Sequence, residues 1–543
     1  MEFNLADLFE NAVDHFADRE YLVCGGHRRT YREMDERANR LAHHLAAHGI
    51  GAGDHVGIYA YNSVEWVETL WAVFKLRAVW ININYRYVED ELRYLFDNAD
   101  LKALVFQREF APRVRGVRDS LPMLKQLVVI EDGSGGELSG LNAVDYEAAM
   151  ASGSPQRDFP PRSPHDLYIL YTGGTTGMPK GVVWRHVDVF MALGGGIDPL
   201  TGERAAHPGR MVEKGQAGFT LTMFPIAPLM HGATQWAVMG QSFVGNRLVL
   251  TPKFDAHGVW DLVEREKINS IMITGDAMGR PMIEALNAQE SRWDVSSLLS
   301  LSSSAATFSP SVKDQFFDRF PSLVMTDAVG SSEGGNNGMV MVQRGQTAMK
   351  GGPTVTRVGA TTVIDEDGQP VEPGSGKIGK IARSADIPLE YYKDPRKTAE
   401  TFVTYNGVRY AVPGDYAMVE EDGRITLLGR GSVSINSGGE KIFPEEVETA
   451  VKSHPDVFDC TVVGVPDPRW GQRVCALVQA RPGVEPSLAS IQEHCRAKIA
   501  GFKVPREVHL VERVVRSPSG KPDYRWAKET AVAKSEARSQ KPT

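Results

Sequence analysis

YTGGTTGMPKG, from Tyr171 to Gly181, combines closely spaced glycines with three threonines and one lysine. Backbone N–H groups, hydroxyls and an ammonium group together suit the oxygens of a polyphosphate, and glycine lets the backbone come close to such a ligand. The flanks, Leu167 to Tyr171 and Val182 to Trp184, have the composition of strands. A Walker A loop would read GxxxxGK[ST] and open a helix. The stretch therefore indicates a strand–loop–strand phosphate site and disfavours the P-loop NTPase class.

Outward from this loop, helical and strand-like runs alternate. Helical spacing covers Tyr31 to His48 and Ser63 to Arg77, and short apolar runs that fit strands lie at 56–61, 78–82, 101–106 and 127–130. Such alternation predicts α/β layers around a largely parallel sheet. The polar stretch at 194–218 is expected to be a long loop.

The alternation of helical and strand-like runs changes character near Gly429 to Ser437. After it we expect helices at 444–453 and 487–499, strands at 459–464 and 473–480, and a frayed polar tail from Lys534. The sequence thus predicts a large N-terminal multilayer α/β domain, residues 1–431, and a small mobile α+β C-terminal domain, residues 432–543.

Composition excludes several classes of protein. Of the 543 residues, 42% are hydrophobic and 24% charged, which is typical of a folded globular protein and not of a disordered one. The net charge of −8 argues against nucleic acid as a partner. The N-terminus lacks a signal-peptide pattern, no apolar run is long enough to span a membrane, and the four cysteines form no CxxC pair. These features predict a cytoplasmic protein, and the sequence leaves a homodimer open.

The loop resembles the phosphate-loop signature of the adenylate-forming superfamily, which includes acyl-CoA synthetases, peptide-synthetase adenylation domains and luciferases. Further motifs of that superfamily follow in the expected order. They are PIAPLMHG (225–232), SAA (304–306), AVGSSE (328–333), PGD (413–415), GR (429–430) with SINSGGEKIFPEEVE after it, and SPSGKPDYR (517–525). Several motifs in one order are far more specific than any one of them.

The resemblance implies the site residues. It assigns catalytic roles to Lys521, Glu333 and His231, the last as a gating residue beside an acyl channel. It gives magnesium to Thr172 and Glu333. Ser432 stands at a hinge where relatives often carry Asp or Lys, and Val329 and Ser332 replace a family Tyr and Thr. The implied nucleotide- and coenzyme-binding residues are Thr172, Gly173, Gly174, Thr175, Thr176, Gly177, Lys180, Ser304, Ala305, Ala306, Asp327, Ala328, Val329, Ser332, Asp415, Arg430, Ser437, Gly438, Gly439 and Lys441.

The activity implied by this resemblance has two steps, in which ATP, Mg²⁺ and coenzyme A act on a small-molecule carboxylic acid. The acid is first converted to acyl-AMP, and a thiol then displaces AMP. Two anions must meet in the first step, so positioning and positive charge are expected to dominate catalysis. A rotation of the C-terminal domain would bring Ser437 to Lys441 to the pantetheine tunnel for the second step.

The expected substrate follows from Gly330. Small-acid synthetases of the superfamily carry Trp at this position, so glycine predicts an open channel for a medium-chain, long-chain or bulky acid. The runs ININYRYVEDELRYLFDNAD and SSSAATFSPSVKDQF look most like actinobacterial fatty-acid and steroid-side-chain acyl-CoA synthetases.

Other functions stay open at this point. The acyl-AMP could be transferred to a carrier protein, a luciferase-like oxygenase would share the motifs, and a non-catalytic nucleotide-binding protein is the alternative outside enzymes. A dinucleotide-dependent dehydrogenase is rejected, because no GxGxxG follows an early strand with an acidic residue about 20 positions later.

Overall fold

The computed structural model describes residues 1–172, 178–198, 201–289, 291–347, 349, 352–437, 440–467, 469–517 and 520–539. Its α-helices begin and end as follows. They are α1 Leu5–Phe16, α2 Tyr31–Ala47, α3 Val64–Lys75, α4 Glu89–Asn98, α5 Ala111–Arg118, α6 Tyr146–Ser152, α7 His186–Leu193, α8 Arg210–Ala217, α9 Gly232–Phe243, α10 Ala256–Glu266, α11 Asp276–Ala288, α12 Pro310–Arg319, α13 Pro395–Thr401, α14 Pro444–Lys452, α15 Leu488–Arg496 and α16 Tyr524–Ser539.

The strands of the described residues are listed here in chain order. They are β1 Glu20–Cys24, β2 His27–Thr30, β3 His55–Tyr59, β4 Val79–Asn82, β5 Leu101–Gln107, β6 Gln126–Ile130, β7 Val144–Asp145, β8 Leu167–Thr172, β9 Lys180–Arg185, β10 Thr222–Pro225, β11 Arg247–Leu250, β12 Ser270–Ile273, β13 Ser300–Ser304, β14 Val324–Ser331, β15 Gly335–Val342, β16 Thr354–Arg357, β17 Thr361–Ile364, β18 Gly379–Arg383, β19 Glu390–Tyr391, β20 Phe402–Tyr405, β21 Val408–Ala411, β22 Asp415–Val419, β23 Ile425–Arg430, β24 Ile435–Ser437, β25 Glu440–Ile442, β26 Val457–Asp467, β27 Gly471–Ala480 and β28 Glu507–Leu510.

Two large sheets build the N-terminal part of the molecule. The first runs β2-β1-β11-β10-β12-β13-β14-β15-β16-β23-β22-β18-β21-β20, with β17 beside β18, and the second runs β19-β9-β8-β4-β3-β5-β6-β7. Parallel pairing joins β1, β11, β10, β12, β13 and β14 in the first sheet and β8, β4, β3, β5, β6 and β7 in the second. The carboxyl ends of parallel strands are where α/β folds bind ligands.

Helices α1, α2, α3 and α9 share one large apolar core with the second sheet. Phe9 of α1 stacks on Trp71 of α3, with ring centroids 4.2 Å apart. Local sequence sets the helix starts, since Thr30 and Glu33 form a capping box on α2 and Ser63 caps α3. This core fixes α9 between the two sheets, and α9 carries much of the site described below.

The small C-terminal part has a sheet of its own, ordered β25-β24-β27-β26 with β28 beside β27. Helix α14 packs on β26 in one apolar cluster, and Ala527 and Ala531 of α16 pack with Val463 and Val465 of β26 in another. A 3₁₀ turn at Gly431–Val433 leads from β23 into this part. The boundary between residues 431 and 432 stays a prediction.

The α/β fold class is confirmed, whereas three details of the predicted architecture are wrong. The sheets are mixed, because β15 onward in the first sheet and β9 and β19 in the second pair antiparallel. The stretch 194–218 contains α8, whose Met211 and Val212 are buried in the core. Helix α16 continues past Lys534 to Ser539, with Ser535 donating a hydrogen bond to Glu507.

Candidate active site

The phosphate loop joins two antiparallel strands, as the sequence predicts. Strand β8 ends at Thr172 and β9 begins at Lys180, and these two residues are register partners that close the loop. Lys180 Nζ lies 3.1 Å from Asp394 Oδ2 and 5.8 Å from the centre of the Tyr391 ring. The predicted phosphate-binding residues Gly173, Gly174, Thr175, Thr176 and Gly177 lie outside the described residues.

Glu333 and Tyr391 form a hydrogen bond next to this loop. Tyr391 Oη donates to Glu333 Oε1 over 2.7 Å. Burial, and then the Glu333 carboxylate, raises the pKa of Tyr391, so the phenol keeps its proton and its role as a donor. Tyr391 is half of the short strand β19, which pairs with β9 opposite Val182. Sequence reasoning missed Tyr391, because only this long-range strand pairing brings it to Glu333.

Asp415 and Arg430, each predicted as a nucleotide-binding residue, face each other across β22 and β23. They are register partners, and Arg430 Nε donates to Asp415 Oδ1 over 3.0 Å. The Asp415 carboxylate is the main cause of the raised pKa of Arg430. The pair presents a carboxylate and a guanidinium at one place, which suits hydroxyl groups and phosphate oxygens.

Lys521 and His231 come from opposite parts of the chain and line the same cavity. Lys521 is exposed to solvent within the cavity, but the surrounding protein reduces its hydration. This partial desolvation, followed by the Arg430 guanidinium, lowers the pKa of Lys521, and Asp415 and Glu333 act in the opposite direction. Burial first, and then Lys521 and Arg86, lowers the pKa of His231 to about 3. The imidazole is therefore neutral near pH 7, while Lys521 lies within the electrostatic influence of the predicted nucleotide-binding groups.

The SAA motif, residues 304–306, forms a tight turn at the end of β13. Ala305 has a φ of +66°, the left-handed region, and Ala306 N donates to Ser304 O over 2.8 Å. Ser304 and Ala305 line the cavity, and Ala306 does not. Ser304 Oγ is buried without a hydrogen-bond partner among the described residues.

Strand β14 contributes its predicted residues unequally. Ala328, Val329 and Ser332 line the cavity. The Asp327 carboxylate lies on the other face of the strand and pairs with Lys313, and both side chains are buried. Burial raises the pKa of Asp327 and Lys313 opposes that shift. The predicted cofactor-binding role of Asp327 therefore does not extend to its side chain in this arrangement, because the ion pair with Lys313 holds the carboxylate away from the cavity.

The cavity has a volume of about 1320 Å³ and continues from the polar groups into an apolar tunnel along α9. The α9 face that lines it repeats at helical spacing through Ala233, Ala237 and Gln241. At 1.5 Å per residue, the 12 residues of α9 span about 18 Å. Gly330 lines the cavity, as the open-channel argument expects.

Other tunnel residues were missed by sequence reasoning. Gly195, Ile197 and Met211 belong to the stretch that the sequence predicted as a loop, and they line the cavity because α8 folds back over the end of α9. A Cβ on Gly195 would lie 3.1 Å from Met211 Cε. The apolar residues inside that polar stretch, including Met211 and Val212, were the signal that could have revealed it.

Contacts between the two parts of the chain hold Lys521 in this place. Lys452 Nζ of α14 lies 3.2 Å from Asp276 Oδ2 at the start of α11, and Arg481 Nη1 donates to Glu284 Oε1 over 2.9 Å. A Cβ on Gly520 would lie 2.8 Å from Thr274 O. The loop that carries Lys521 therefore packs closely on the carboxyl end of β12.

Of the predicted pantetheine residues, Ser437 is the one whose side chain the structure describes, and it is not brought to the cavity. Ser437 ends β24 opposite Gly471 of β27 and is not among the described residues that line the cavity. Gly438 and Gly439 lie outside the described residues, and Lys441 is described only by its backbone, which pairs with Asn436. In this arrangement β24 and β25, which end and begin at Ser437 and Glu440, lie at one side of the small sheet, and Lys521 lines the cavity.

Two buried polar atoms and the Glu333 carboxylate show whether the cavity suits the polar substrates and the magnesium ion that the family resemblance implies. Ser304 Oγ and His231 Nε2 have no hydrogen-bond partner within the described ranges, although buried polar groups are normally paired. The second oxygen of Glu333 likewise has no recorded partner there, and a carboxylate oxygen is a ligand that Mg²⁺ prefers. The site thus fits a polar ligand at Ser304 and His231 and a magnesium ion at Glu333.

Comparisons with known proteins agree with this geometry. The chain matches the AMP-binding enzyme family over residues 9–386 and the AMP-binding enzyme C-terminal domain over residues 446–521. It is 52% identical to a 3-oxocholest-4-en-26-oate–CoA ligase of Rhodococcus rhodochrous over 533 residues, which are 97% of this chain and 96% of that protein. It is 51% identical to a medium/long-chain-fatty-acid–CoA/3-oxocholest-4-en-26-oate–CoA ligase of Mycobacterium tuberculosis over 531 residues, 98% and 96% of the two chains.

A solved structure shares the fold. The anthranilate CoA ligase AuaEII in complex with anthranoyl-AMP superposes with a TM-score of 0.84 at 23% identity, covering 98% of each chain. None of the helices in the described part of this chain combines the length and apolar character needed to cross a bilayer.

Proposed function

Because the chain belongs to the AMP-binding enzyme family, we propose that it is an AMP-forming acid–thiol ligase that makes acyl-CoA. In the first step a carboxylate oxygen attacks the α-phosphorus of ATP, the bond to the bridging oxygen of the β-phosphate breaks, and pyrophosphate leaves. In the second step the sulfur of coenzyme A attacks the acyl carbon, the bond to AMP breaks, and the thiol proton passes to solvent. Atoms and charges balance without an oxidant or reductant.

The observation that carries this proposal is the position of Lys521. Its side chain lines the cavity that also contains Thr172, Ser304 and His231. We assign the ammonium to the incoming carboxylate and the α-phosphate, since two anions that repel each other need a shared cation. Burial of His231 as a neutral imidazole supports a role in shaping the channel rather than in carrying charge.

The remaining polar groups are assigned to the nucleotide. Asp415 would accept hydrogen bonds from ribose hydroxyls, Arg430 would hold Asp415 and reach a ribose or phosphate oxygen, and Lys180 would exchange Asp394 for the terminal phosphates. The hydrogen bond between Arg430 and Asp415 supports these roles. So does the buried Ser304 hydroxyl, which has no hydrogen-bond partner among the described residues. Each group binds or orients, and none needs to form a covalent bond.

Magnesium is the ion we propose for Glu333, with Tyr391 orienting the carboxylate and Thr172 offering its hydroxyl. When bound, the ion would neutralise phosphate oxygens as negative charge builds on the leaving pyrophosphate. The chain's own contribution is a carboxylate held by a phenol that stays protonated.

A medium-chain, long-chain or steroid side-chain acid is the substrate class we propose. The relatives named for such acids are about half identical over nearly the whole chain. The tunnel along α9 is lined mainly by apolar residues, among them Ala233, Ala237 and Val244, and the helix spans about 18 Å. Each buried methylene adds about 0.8 kcal/mol, so the tunnel favours long acids over acetate.

For the second step we propose a rotation of the small domain about the 3₁₀ turn at Gly431–Val433. The turn contains Ser432 at the position predicted as the hinge. Rotation would withdraw Lys521 and bring the Ser437 to Lys441 loop to the acyl-AMP. The names of the relatives favour coenzyme A over a carrier protein as the thiol acceptor. A non-catalytic nucleotide-binding protein is disfavoured, because Lys521, Glu333 and Asp415 are all present.

Pyrophosphate release tests the proposal directly. The purified chain is supplied with ATP, magnesium and, in turn, acetate, hexanoate, palmitate, an aryl acid and a steroid carboxylate, with and without coenzyme A. Release with palmitate or the steroid acid, followed by acyl-CoA formation, is expected. An Ala237→Phe variant, which fills the tunnel, should lose activity on the long acids more than on hexanoate. No release with any acid contradicts the enzyme assignment, and acetate as the best substrate contradicts the open channel.

We also propose a cytoplasmic location, supported by cysteines at positions 24, 460, 475 and 495 that are free and buried. Cell fractionation tests the location. The homodimer stays a prediction, which sedimentation velocity of the full chain tests.

A further inference from the structure

Gln241 lies in the tunnel far from the group that activates the acid. It is nine residues beyond Gly232 on α9, which corresponds to about 14 Å along the helix axis. His231, immediately before the helix, is close enough to Lys521 for that ammonium to shift its pKa. Among the described α9 residues that line the cavity, Trp236 and Gln241 carry polar groups, and Gln241 is the farther of the two from His231 along the helix.

A chain of hydrogen bonds determines how the Gln241 amide is turned. The backbone N–H of Leu221 donates to Asn246 Oδ1 over 2.9 Å, so the other terminal atom of Asn246 is its nitrogen. Asn246 Nδ2 in turn donates to Gln241 Oε1 over 2.6 Å. Asn246 is buried, and Tyr31 Oη donates to its backbone carbonyl over 2.8 Å, which fixes it further.

The Gln241 amide nitrogen is left as a donor. Its oxygen is occupied by Asn246, and within the described residues no acceptor is recorded for Nε2. The neighbouring cavity residues Met211 and Val244 are apolar and offer no competing side-chain acceptor. A donor held in a mainly apolar tunnel favours a ligand that carries an acceptor at the matching depth, because a hydrogen bond unmade there costs free energy.

We propose that Gln241 recognises a carbonyl oxygen at the end of the acid remote from its carboxylate, which makes a keto-substituted polycyclic acid a better substrate than the same acid without the keto group. This inference rests on the proposed function. A 3-oxo steroid with a side-chain carboxylate has these two groups at opposite ends of one rigid skeleton. A plain fatty acid has only the carboxylate and leaves the Gln241 donor unused.

The experiment compares two acids on two proteins. Initial rates of pyrophosphate release give kcat/KM for 3-oxocholest-4-en-26-oate and for cholest-4-en-26-oate, which lacks the keto oxygen, on the unmodified chain and on Gln241→Met. The unmodified chain is expected to prefer the keto acid by roughly tenfold, the scale of one neutral hydrogen bond, and the variant should lose that preference. Dodecanoate, which carries no keto oxygen, is assayed on the unmodified chain as a third acid.

Two further variants separate recognition from a general defect. Val244→Ala changes the same part of the tunnel without touching a donor, so it should alter both steroid acids by the same factor. Gln241→Glu keeps the acceptor for Asn246 but removes the donor, so it should disfavour the keto acid even if Gln241→Met folds poorly. Circular dichroism and thermal melting verify folding.

The outcomes distinguish this inference from the proposed function. Equal use of the two steroid acids by the unmodified chain, or an equal loss on both in Gln241→Met and Gln241→Glu, overturns the role of Gln241. Activation of dodecanoate in the same assay would then leave the ligase assignment intact. Failure to activate any of the three acids would instead contradict the ligase assignment itself.

Discussion

Lys521 is the side chain whose removal should separate the two half-reactions. Lys521→Ala should lower acyl-AMP formation by about 10²- to 10³-fold, the usual loss for one preorganised donor at developing charge. Thioester formation from supplied acyl-AMP should be spared, because that step is proposed to occur with Lys521 withdrawn. Pyrophosphate release and acyl-CoA formation measure the two steps. Lys534→Ala, an exposed lysine on α16, is the control, and equal loss of both steps would contradict the assignment.

Tyr391 should act on magnesium through Glu333. Tyr391→Phe removes the 2.7 Å hydrogen bond to the carboxylate but keeps the ring beside Lys180. The magnesium concentration for half-maximal activity should rise about tenfold, as is typical when a group that orients a ligand is lost. Tyr392→Phe is the matched control, because its hydroxyl donates to Asp100 instead. The same magnesium dependence in both variants would exclude this role.

The loop that carries Lys521 depends on its close packing against β12. Gly520 has a φ of +73°, and a Cβ there would lie 2.8 Å from Thr274 O. Gly520→Ala should therefore push the loop away and lower acyl-AMP formation by at least tenfold, while sparing the thioester step. Gly483→Ala is the control, since Gly483 has a φ of +79° and nothing within 4 Å of its Cβ position. If both variants lose the same activity, backbone strain alone is the cause.

The first turn of α14 buries a carboxyl group at the connection between the two domains. The pKa of Glu445 is raised to about 8, mainly by burial, then by the negative charge of Glu448 and, with a smaller effect, by that of Asp415. Tyr524 of α16 also faces Glu445. A carboxyl pKa raised on folding stabilises the fold at low pH, and this contribution disappears as the pH rises from about 4.5 to about 8.

Glu445→Gln should flatten the fall in melting temperature between pH 5 and pH 8, because glutamine has no proton to lose. Differential scanning calorimetry across this range gives the comparison. Glu446→Gln is the control: it removes an ion pair with Lys503 near the surface and should keep the pH dependence of the unmodified chain. An unchanged slope in Glu445→Gln would show that Glu445 is not the titrating group.

At the scale of the whole molecule, ion pairs between the two domains should favour the arrangement in which Lys521 lines the cavity over the rotated one. Glu284 and Arg481 join them over 2.9 Å, with side chains 33% and 35% exposed. Solvent screening limits such a pair to about 0.2–1 kcal/mol, or up to about fivefold in a rate. Arg481→Glu should slow acyl-AMP formation by that factor, and adding Glu284→Arg should restore it. Rates that do not recover in the double variant would contradict a direct coupling.

Much of this site could be predicted from local sequence. The strands around the phosphate loop follow from local sequence, and short motifs identified Ala305, Asp415 and Arg430 as site residues, whereas the positive φ of Ala305 and the pairing of Asp415 with Arg430 came from the structure. The direction of side chains could not be predicted from local sequence. Asp327 was predicted to bind the cofactor, but its carboxylate pairs with Lys313 on the side of β14 away from the cavity.

The sequence alone determined the α/β class, the family resemblance and the expected chemistry, and it predicted that Gly330 leaves the channel open, because these depend on residue type and spacing over short distances. Only the tertiary structure decided that Tyr391 meets Glu333, that α8 contributes Met211 to the tunnel, and that Asn246 binds the oxygen of Gln241 and leaves its nitrogen without an acceptor among the described residues. Those facts depend on contacts between residues far apart in the chain, which long-range strand pairing and core packing bring together and local pattern does not encode.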